Sequence, residues 1–170
     1  MWQHKEEEFE MSRKLVAYFS ASGVTAKLAE QLSEAIGADL HEIRAKEQYS
    51  QADLDWRNDK SRSSIEMKNK TFRPEIVDDK ISISEYDTVF VGFPIWWYVA
   101  PTIINTFLES HVFSGKTVVV FATSGSSDFG NTINELKISL PDSTKLIEGK
   151  VLNGKYTNKE LSDWAESIGV

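Results

Sequence analysis

The stretch Leu15-Val16-Ala17-Tyr18-Phe19-Ser20-Ala21-Ser22-Gly23-Val24-Thr25 decides the fold. Its first five residues are continuously apolar, partly β-branched and partly aromatic, as in a strand buried on both faces. Four small residues follow. From Val24 the period changes: Val24, Leu28, Leu32, Ala35 and Ile36 fall at helical spacing until Gly37, a C-cap residue. A strand buried on both faces that passes through a short turn into a helix opens a parallel α/β unit.

The pattern recurs along the chain. Thr88-Val89-Phe90-Val91-Gly92-Phe93 is a second buried run, stopped by Pro94, and Pro101 opens a helix with Ile103, Ile104, Phe107 and Leu108 inward. Thr117-Val118-Val119-Val120-Phe121-Ala122 is the third run. Ile133, Leu136 and Leu140 then form a helix stripe ended by Pro141. A less apolar strand around Asp39 to Ile43 suits a sheet edge, and a last strand lies near Lys145 to Leu152. Thr157 and Glu160 make a capping box for a final helix with Leu161, Trp164, Ala165 and Ile168 inward. The fold class is therefore α/β, a three-layer doubly wound domain on a five-stranded parallel sheet.

Composition narrows the function. The 170 residues suit one domain with a substantial core. The absence of cysteine excludes disulfides, thiolate metal sites and thiol catalysis. A net charge of −7 argues against nucleic acid as a partner. No apolar segment approaches the roughly 18–20 residues of a membrane span. Met1 to Arg13, with Glu6, Glu7, Glu8 and Glu10, reads as an N-terminal extension (1–13) rather than a signal peptide, which points to the cytoplasm. The domain proper is 14–170. Residues 44–80, between the second and third strands, hold nine of the 19 basic residues and eight of the 26 acidic ones. So long a connection is either a solvated helix with its loop or a functional element.

Ligands of open parallel sheets bind at the carboxyl ends of the strands, so three loops carry the chemistry. Ser20 to Thr25 offers free helix-start amides and three hydroxyls to an anion, with Gly23 allowing close approach. The plainer alternative is a hydroxyl-capped turn. It is neither a Walker A motif nor a GxGxxG fingerprint. Pro94-Ile95-Trp96-Trp97-Tyr98 presents π-faces for a planar heterocycle; alternatively, these aromatics pack beneath the insert with Tyr49 or Trp56. Adjacent residues point in different directions, so one tryptophan is expected to pack inward and the other to meet a ligand. Thr123-Ser124-Gly125-Ser126-Ser127 supplies small donors near a ring edge, with Gly130 turning the chain into the next helix. No GxSxG is present, His111 at a helix end reads as a carbonyl cap, and Asp128 reads as a turn residue.

Tyr18 to Ala29 resembles the FMN-phosphate loop of flavodoxins. Gly92-Phe93-Pro94-Ile95-Trp96-Trp97-Tyr98, Thr106-Phe107-Leu108-Glu109, Phe113-Ser114-Gly115-Lys116-Thr117 and Arg73-Pro74-Glu75 resemble a bacterial flavodoxin-like branch. The resemblance spans about residues 14–155. It implies strand order 2-1-3-4-5, the short-chain form and non-covalent FMN. Ser20, Ser22, Gly23, Val24 and Thr25 would then hold the phosphate. Pro94, Ile95, Trp96, Trp97 and Tyr98 would border the isoalloxazine on one side, with Thr123, Ser124, Gly125 and Ser126 on the other. Val24 stands where many flavodoxins carry Asn, and Tyr98 where a Gly commonly follows the tryptophan pair.

The implied function is electron transfer through bound FMN, without a catalytic side chain, to a redox partner protein or a small-molecule acceptor, by a monomer or homodimer. One alternative is an NAD(P)H-dependent quinone or small-molecule reductase, with Arg57, Arg62 and Arg73 of the insert closing over a second substrate. Another is a non-redox binding module that has lost the flavin.

Overall fold

A computed structural model describes residues 13–78, 81–124 and 127–170. The expected extension lies outside the described residues except for Arg13, which is already tied to the sheet: its guanidinium pairs with Asp39 at 3.2 Å and its carbonyl accepts from Asp87 N at 3.0 Å. In chain order the elements are β1 (Lys14–Tyr18), α1 (Val24–Ile36), β2 (Asp39–Glu42), α2 (Arg62–Lys68), β3 (Thr88–Pro94), α3 (Thr102–Glu109), β4 (Thr117–Thr123), α4 (Thr132–Lys137), β5 (Lys145–Val151) and α5 (Asn158–Ile168). A single 3₁₀ turn, Ile83–Glu85, precedes β3.

The strands form one parallel sheet in the order β2-β1-β3-β4-β5, as expected. The three apolar runs are its centre, and helices cover both faces. On one face Phe93, Phe107, Phe113 and Leu136 pack with α3 and α4; on the other Leu28, Leu32, Phe121 and Leu161 pack with α1 and α5. Each such buried side chain contributes about 1.5–3 kcal/mol relative to exposure. The capping box of α5 forms as read, with Thr157 accepting from Glu160 N and Glu160 from Thr157 N.

Two boundaries differ from the sequence reading. Pro101 has ψ 144°, so it precedes α3 as its N-cap instead of opening the helix. Helix α4 stops at Lys137, and the chain tightens through i→i−3 bonds from Ser139 and Leu140 to Leu136 and Lys137. Leu140 still packs on the core, from a turn and not from the helix.

Register places the three loops side by side. Tyr18 aligns with Gly92 across β1 and β3, and Pro94 with Thr123 across β3 and β4. The chain therefore leaves all three strands along one edge. The insert closes on itself nearby: Lys46 N donates to Glu75 O at 2.9 Å and Val77 N to Arg44 O at 2.8 Å, around an antiparallel bridge between Ala45 and Ile76.

Candidate flavin site

In the first loop Gly23 adopts φ +94°, a left-handed conformation favoured only by glycine, and it is the N-cap of α1 without a side chain to cap it. Ser20 reaches over instead. Its Oγ accepts from Gly23 N at 3.1 Å and Ala26 N at 3.2 Å. The hydroxyl-capped turn therefore describes Ser20. It does not account for the rest of the loop, because the Val24 and Thr25 amides make no hydrogen bond among the described residues. Ser22 and Gly23 are exposed, and Val24 is 60% exposed. Thr25 is buried and shares a 2.8 Å hydrogen bond with Thr123, joining the first loop to the third beneath the surface.

The second loop continues the ladder briefly, with Ile95 N donating to Thr123 O at 2.9 Å. Trp96 and Val99 then exchange two backbone bonds, of 3.0 and 3.1 Å, around a two-residue tip made of Trp97 and Tyr98. Both tip residues have positive φ, 48° and 67°. Such a turn normally takes Asn-Gly, because left-handed backbone costs a side-chain-bearing residue roughly 1–2 kcal/mol. The glycine usual after the tryptophan pair in the resembling branch thus has a steric reason here, and Tyr98 forgoes it. Trp96 packs inward, edge-on to Phe19 at 5.7 Å and Tyr49 at 5.5 Å. Trp97 and Tyr98 remain 42% and 69% exposed. One tryptophan packs inward, as expected, and its neighbour is partly exposed.

In the third loop Thr123 is buried with Thr25, and Ser124 N donates to Asn153 Oδ1 at 2.9 Å. Ser124 Oγ also accepts from Ser127 N at 2.9 Å. Gly125 and Ser126 lie outside the described residues. Asp128 is a turn residue, accepting from Gly130 N at 3.0 Å. Gly130 lies so close to the Tyr98 carbonyl that a Cβ would collide with it, which brings the third loop against the aromatic hairpin.

Residues missed as a unit in the sequence support the hairpin from behind. Tyr49 OH donates to the buried Glu66 carboxylate, Arg62 Nε reaches Glu66 Oε2 at 2.9 Å, and the Arg62 guanidinium lies 3.8 Å from the centre of the Tyr49 ring. Burial, reinforced by Glu66, pushes the Tyr49 phenol far up, so it stays a donor. The Arg62–Glu66 spacing on α2 was the only sequence signal. Arg62 also donates to Glu47 O at 2.7 Å, and Arg73 pairs with Glu109 at 2.9 Å and donates to Lys70 O at 2.8 Å. These two arginines hold the insert in place. Arg57 lies over its neighbour Trp56, which is 66% exposed and does not join the Tyr49–Trp96 stack.

A cleft of about 200 Å³ opens between the first loop and the start of the insert, lined by Phe19, Ser20, Glu42, Arg44, Gln48 and Tyr49. His111 packs on Phe107 at 5.0 Å between ring centres. Burial first, then His41, lowers its pKa, so it is an aromatic packing residue more than a helix cap. Among the described residues no group of His, Asp and Glu is arranged to hold a metal ion, and no helix is long and apolar enough to cross a membrane.

Known proteins share this architecture. A family model described as Flavodoxin matches residues 13–168. The chain belongs to the flavodoxin family. A candidate flavoprotein from Bacteroides eggerthii is 49% identical, with TM-score 0.85, covering 94% of this chain and 99% of its own. Another from Bacteroides uniformis is 44% identical, with TM-score 0.82, 91% of this chain and 98% of its own. A Lactobacillus acidophilus flavoprotein solved in complex with FMN is 25% identical, with TM-score 0.65, 91% of this chain and 99% of its own. No curated protein sequence matches.

Proposed function

We propose that this flavodoxin binds FMN non-covalently and passes electrons through the flavin edge between the aromatic hairpin and the third loop. The observation that carries this reading is the Trp97–Tyr98 tip. Two bulky aromatics held in strained backbone and left exposed, beside unpaired helix-start amides, fit a ligand that is phosphate at one end and a flat ring at the other. The FMN complex of the Lactobacillus acidophilus relative supports the same cofactor.

The residues present suit that group. The Val24 and Thr25 amides and the Ser22 hydroxyl would take phosphate oxygens, and the Ser20 cap holds the turn in shape. Trp97 and Tyr98 would face the ring, with Trp96 fixing the hairpin from below. Bound FMN supplies the one- and two-electron chemistry. The only ionisable side chains in the three loops are Tyr98 and Asp128, and Asp128 is a turn residue, so the chain's own task is binding, orientation and exclusion of water.

Electron transfer with a partner protein or small acceptor is favoured over direct NAD(P)H reduction, because Arg62 is engaged by Glu66 inside the insert, Arg73 by Glu109 of α3, and Arg57 lies over its neighbour Trp56. Titration of the purified protein with FMN tests the reading. Flavin fluorescence should be quenched on binding, and Trp97→Ala should weaken binding about tenfold by removing an aromatic contact. A protein that stays colourless with excess FMN refutes it and leaves the non-redox alternative. A yellow protein bleached rapidly by NADPH alone would restore the reductase.

A further inference from the structure

The insert carries a surface unlike the rest of the molecule. Residues 55–73 hold six basic and three acidic side chains, a local charge of +3 in a chain of net −7. Three of the six cations are engaged within the fold: Arg62 by Glu66, Lys70 by Glu135 and Arg73 by Glu109. Arg57, Lys60 and Lys68 have no carboxylate partner among the described residues. Of the three acids, Glu66 is buried and Asp55 accepts from Arg57 N at 3.1 Å, which leaves Asp59 beside the free cations.

The turns that precede α2 gather these cations. Asn58 N donates to Asp55 O at 3.1 Å and Ser61 N to Asn58 O at 3.0 Å, which places Trp56, Arg57 and Lys60 on successive tight turns. Lys68 reaches back from the end of α2 to Asp59 O at 3.4 Å, so its ammonium joins them. Apolar surface lies among the charges. Trp56 is 66% exposed, with the Arg57 guanidinium 5.1 Å from its ring centre, and Ile65 on α2 is 57% exposed. Tryptophan and arginine are the residues protein interfaces favour, whereas a solvated helix face needs no exposed apolar group. The same helix ends beside the aromatic hairpin, where Met67 and Lys70 share a cavity wall with Trp97 and Tyr98. With seven residues, α2 spans only about 10 Å.

We infer that this surface docks an acidic protein, with Trp56 and Ile65 as apolar contacts and Arg57, Lys60 and Lys68 orienting the partner beside the hairpin. A protein is favoured over a small anion because these five residues lie outside both cavities beside the hairpin, on open surface. An acidic partner is favoured because its charge is attracted here and repelled by the acidic remainder of the chain, which selects one docking face. A basic partner would be drawn to that remainder instead. That the docked protein is a redox partner rests on the flavin reading; the docking itself does not.

The experiment measures affinity by calorimetry at about 50 mM salt, where surface charges are only partly screened. The probes are a plant-type ferredoxin, an acidic iron–sulfur protein, and cytochrome c, a basic haem protein of similar size. Wild type, with and without FMN, is compared with Trp56→Ser and with two triple reversals. One is Arg57→Glu, Lys60→Glu and Lys68→Glu on the insert; the other is Lys137→Glu, Lys145→Glu and Lys150→Glu, which changes net charge equally from α4 and β5. All these side chains are exposed. Ferredoxin should bind wild type and the α4–β5 reversal alike, about tenfold more weakly to the insert reversal, and about fivefold more weakly to Trp56→Ser. Raising salt to about 300 mM should weaken ferredoxin binding to wild type about tenfold. Cytochrome c binding should not weaken in the insert reversal. If that reversal unfolds, the neutral set Arg57→Gln, Lys60→Gln and Lys68→Gln takes its place, with a loss of about threefold expected. The inference is overturned if ferredoxin does not bind wild type, if the two reversals weaken it equally, if Trp56→Ser leaves it unchanged, or if NADPH binds wild type and not the insert reversal, which would give the cations to a nucleotide. Failure of FMN to colour the protein refutes the flavin reading separately, because the titrations without FMN report docking by themselves.

Discussion

The turn at Ser20–Thr25 and the hairpin at Trp96–Val99 both need left-handed backbone, and they meet the need in opposite ways. The turn places Gly23 at φ +94°, with open space around the position a Cβ would take. The hairpin places Trp97 and Tyr98 at φ 48° and 67°, where asparagine and glycine are the usual choice. The first arrangement is relaxed, and its structure follows from local chemistry. The second is strained and must be held from outside by Trp96 on Phe19 and Tyr49, and by Tyr49 on Glu66 and Arg62. Strain kept at a tip that stays exposed is a sign of function, because nothing in folding alone rewards it.

Removing the support should break the contrast most strongly. Trp96→Ala is expected to lower stability by about 3 kcal/mol in urea unfolding, since it empties a stacked aromatic site under a strained turn. A loss below about 1 kcal/mol would mean the hairpin stands without its support. Next comes Tyr49→Phe, which takes a donor from a buried carboxylate and should destabilise by about 2 kcal/mol. Glu66→Gln should act in the same direction, as Arg62 then loses the nearer of its two carboxylate partners, Asp53 lying at 4.0 Å.

The third test is a pair of opposite signs. Gly23→Ala should destabilise by about 1 kcal/mol through backbone strain alone, without a clash. Tyr98→Gly should stabilise by about 0.5 kcal/mol, strain relief outweighing the added freedom of the unfolded chain, while FMN binding weakens. If both substitutions destabilise equally, the hairpin is not strained.

The smallest expected effect is remote from both loops. His111 has its pKa lowered by burial and by His41, against a weaker opposing pull from Asp78. The unfolded chain then takes up a proton at a pH where the folded chain does not, so stability is full above about pH 6.5 and declines as pH falls below it. His111→Phe should flatten that decline in thermal scans between pH 7 and pH 5, with FMN binding unchanged.

Legibility in the sequence follows the same divide. The strands, the order of elements, Gly37 and the α5 capping box were readable because they depend on residues within a few positions of one another. The three loops were readable as neighbours at the strand ends for the same reason, and adjacency implied that one of Trp96 and Trp97 packs inward, while the fold decided that it is Trp96. Pro101 and the end of α4 were misjudged by a residue or a turn, since where a helix stops depends on what its last carbonyls meet. Glu66 was invisible as a support because its partners, Tyr49 17 positions earlier and the stack beyond it, are joined only by the folding of the insert.

Sequence alone therefore determined a parallel α/β domain, a turn of small residues and an aromatic loop at neighbouring strand ends, because apolar period and turn chemistry are local. Only the tertiary structure decided that Thr25 bonds Thr123, that Arg62 and Arg73 are engaged as supports of the insert, and that Tyr98 accepts a glycine's conformation. Those three facts depend on residues far apart in the chain meeting in space, and no local pattern encodes such a distance.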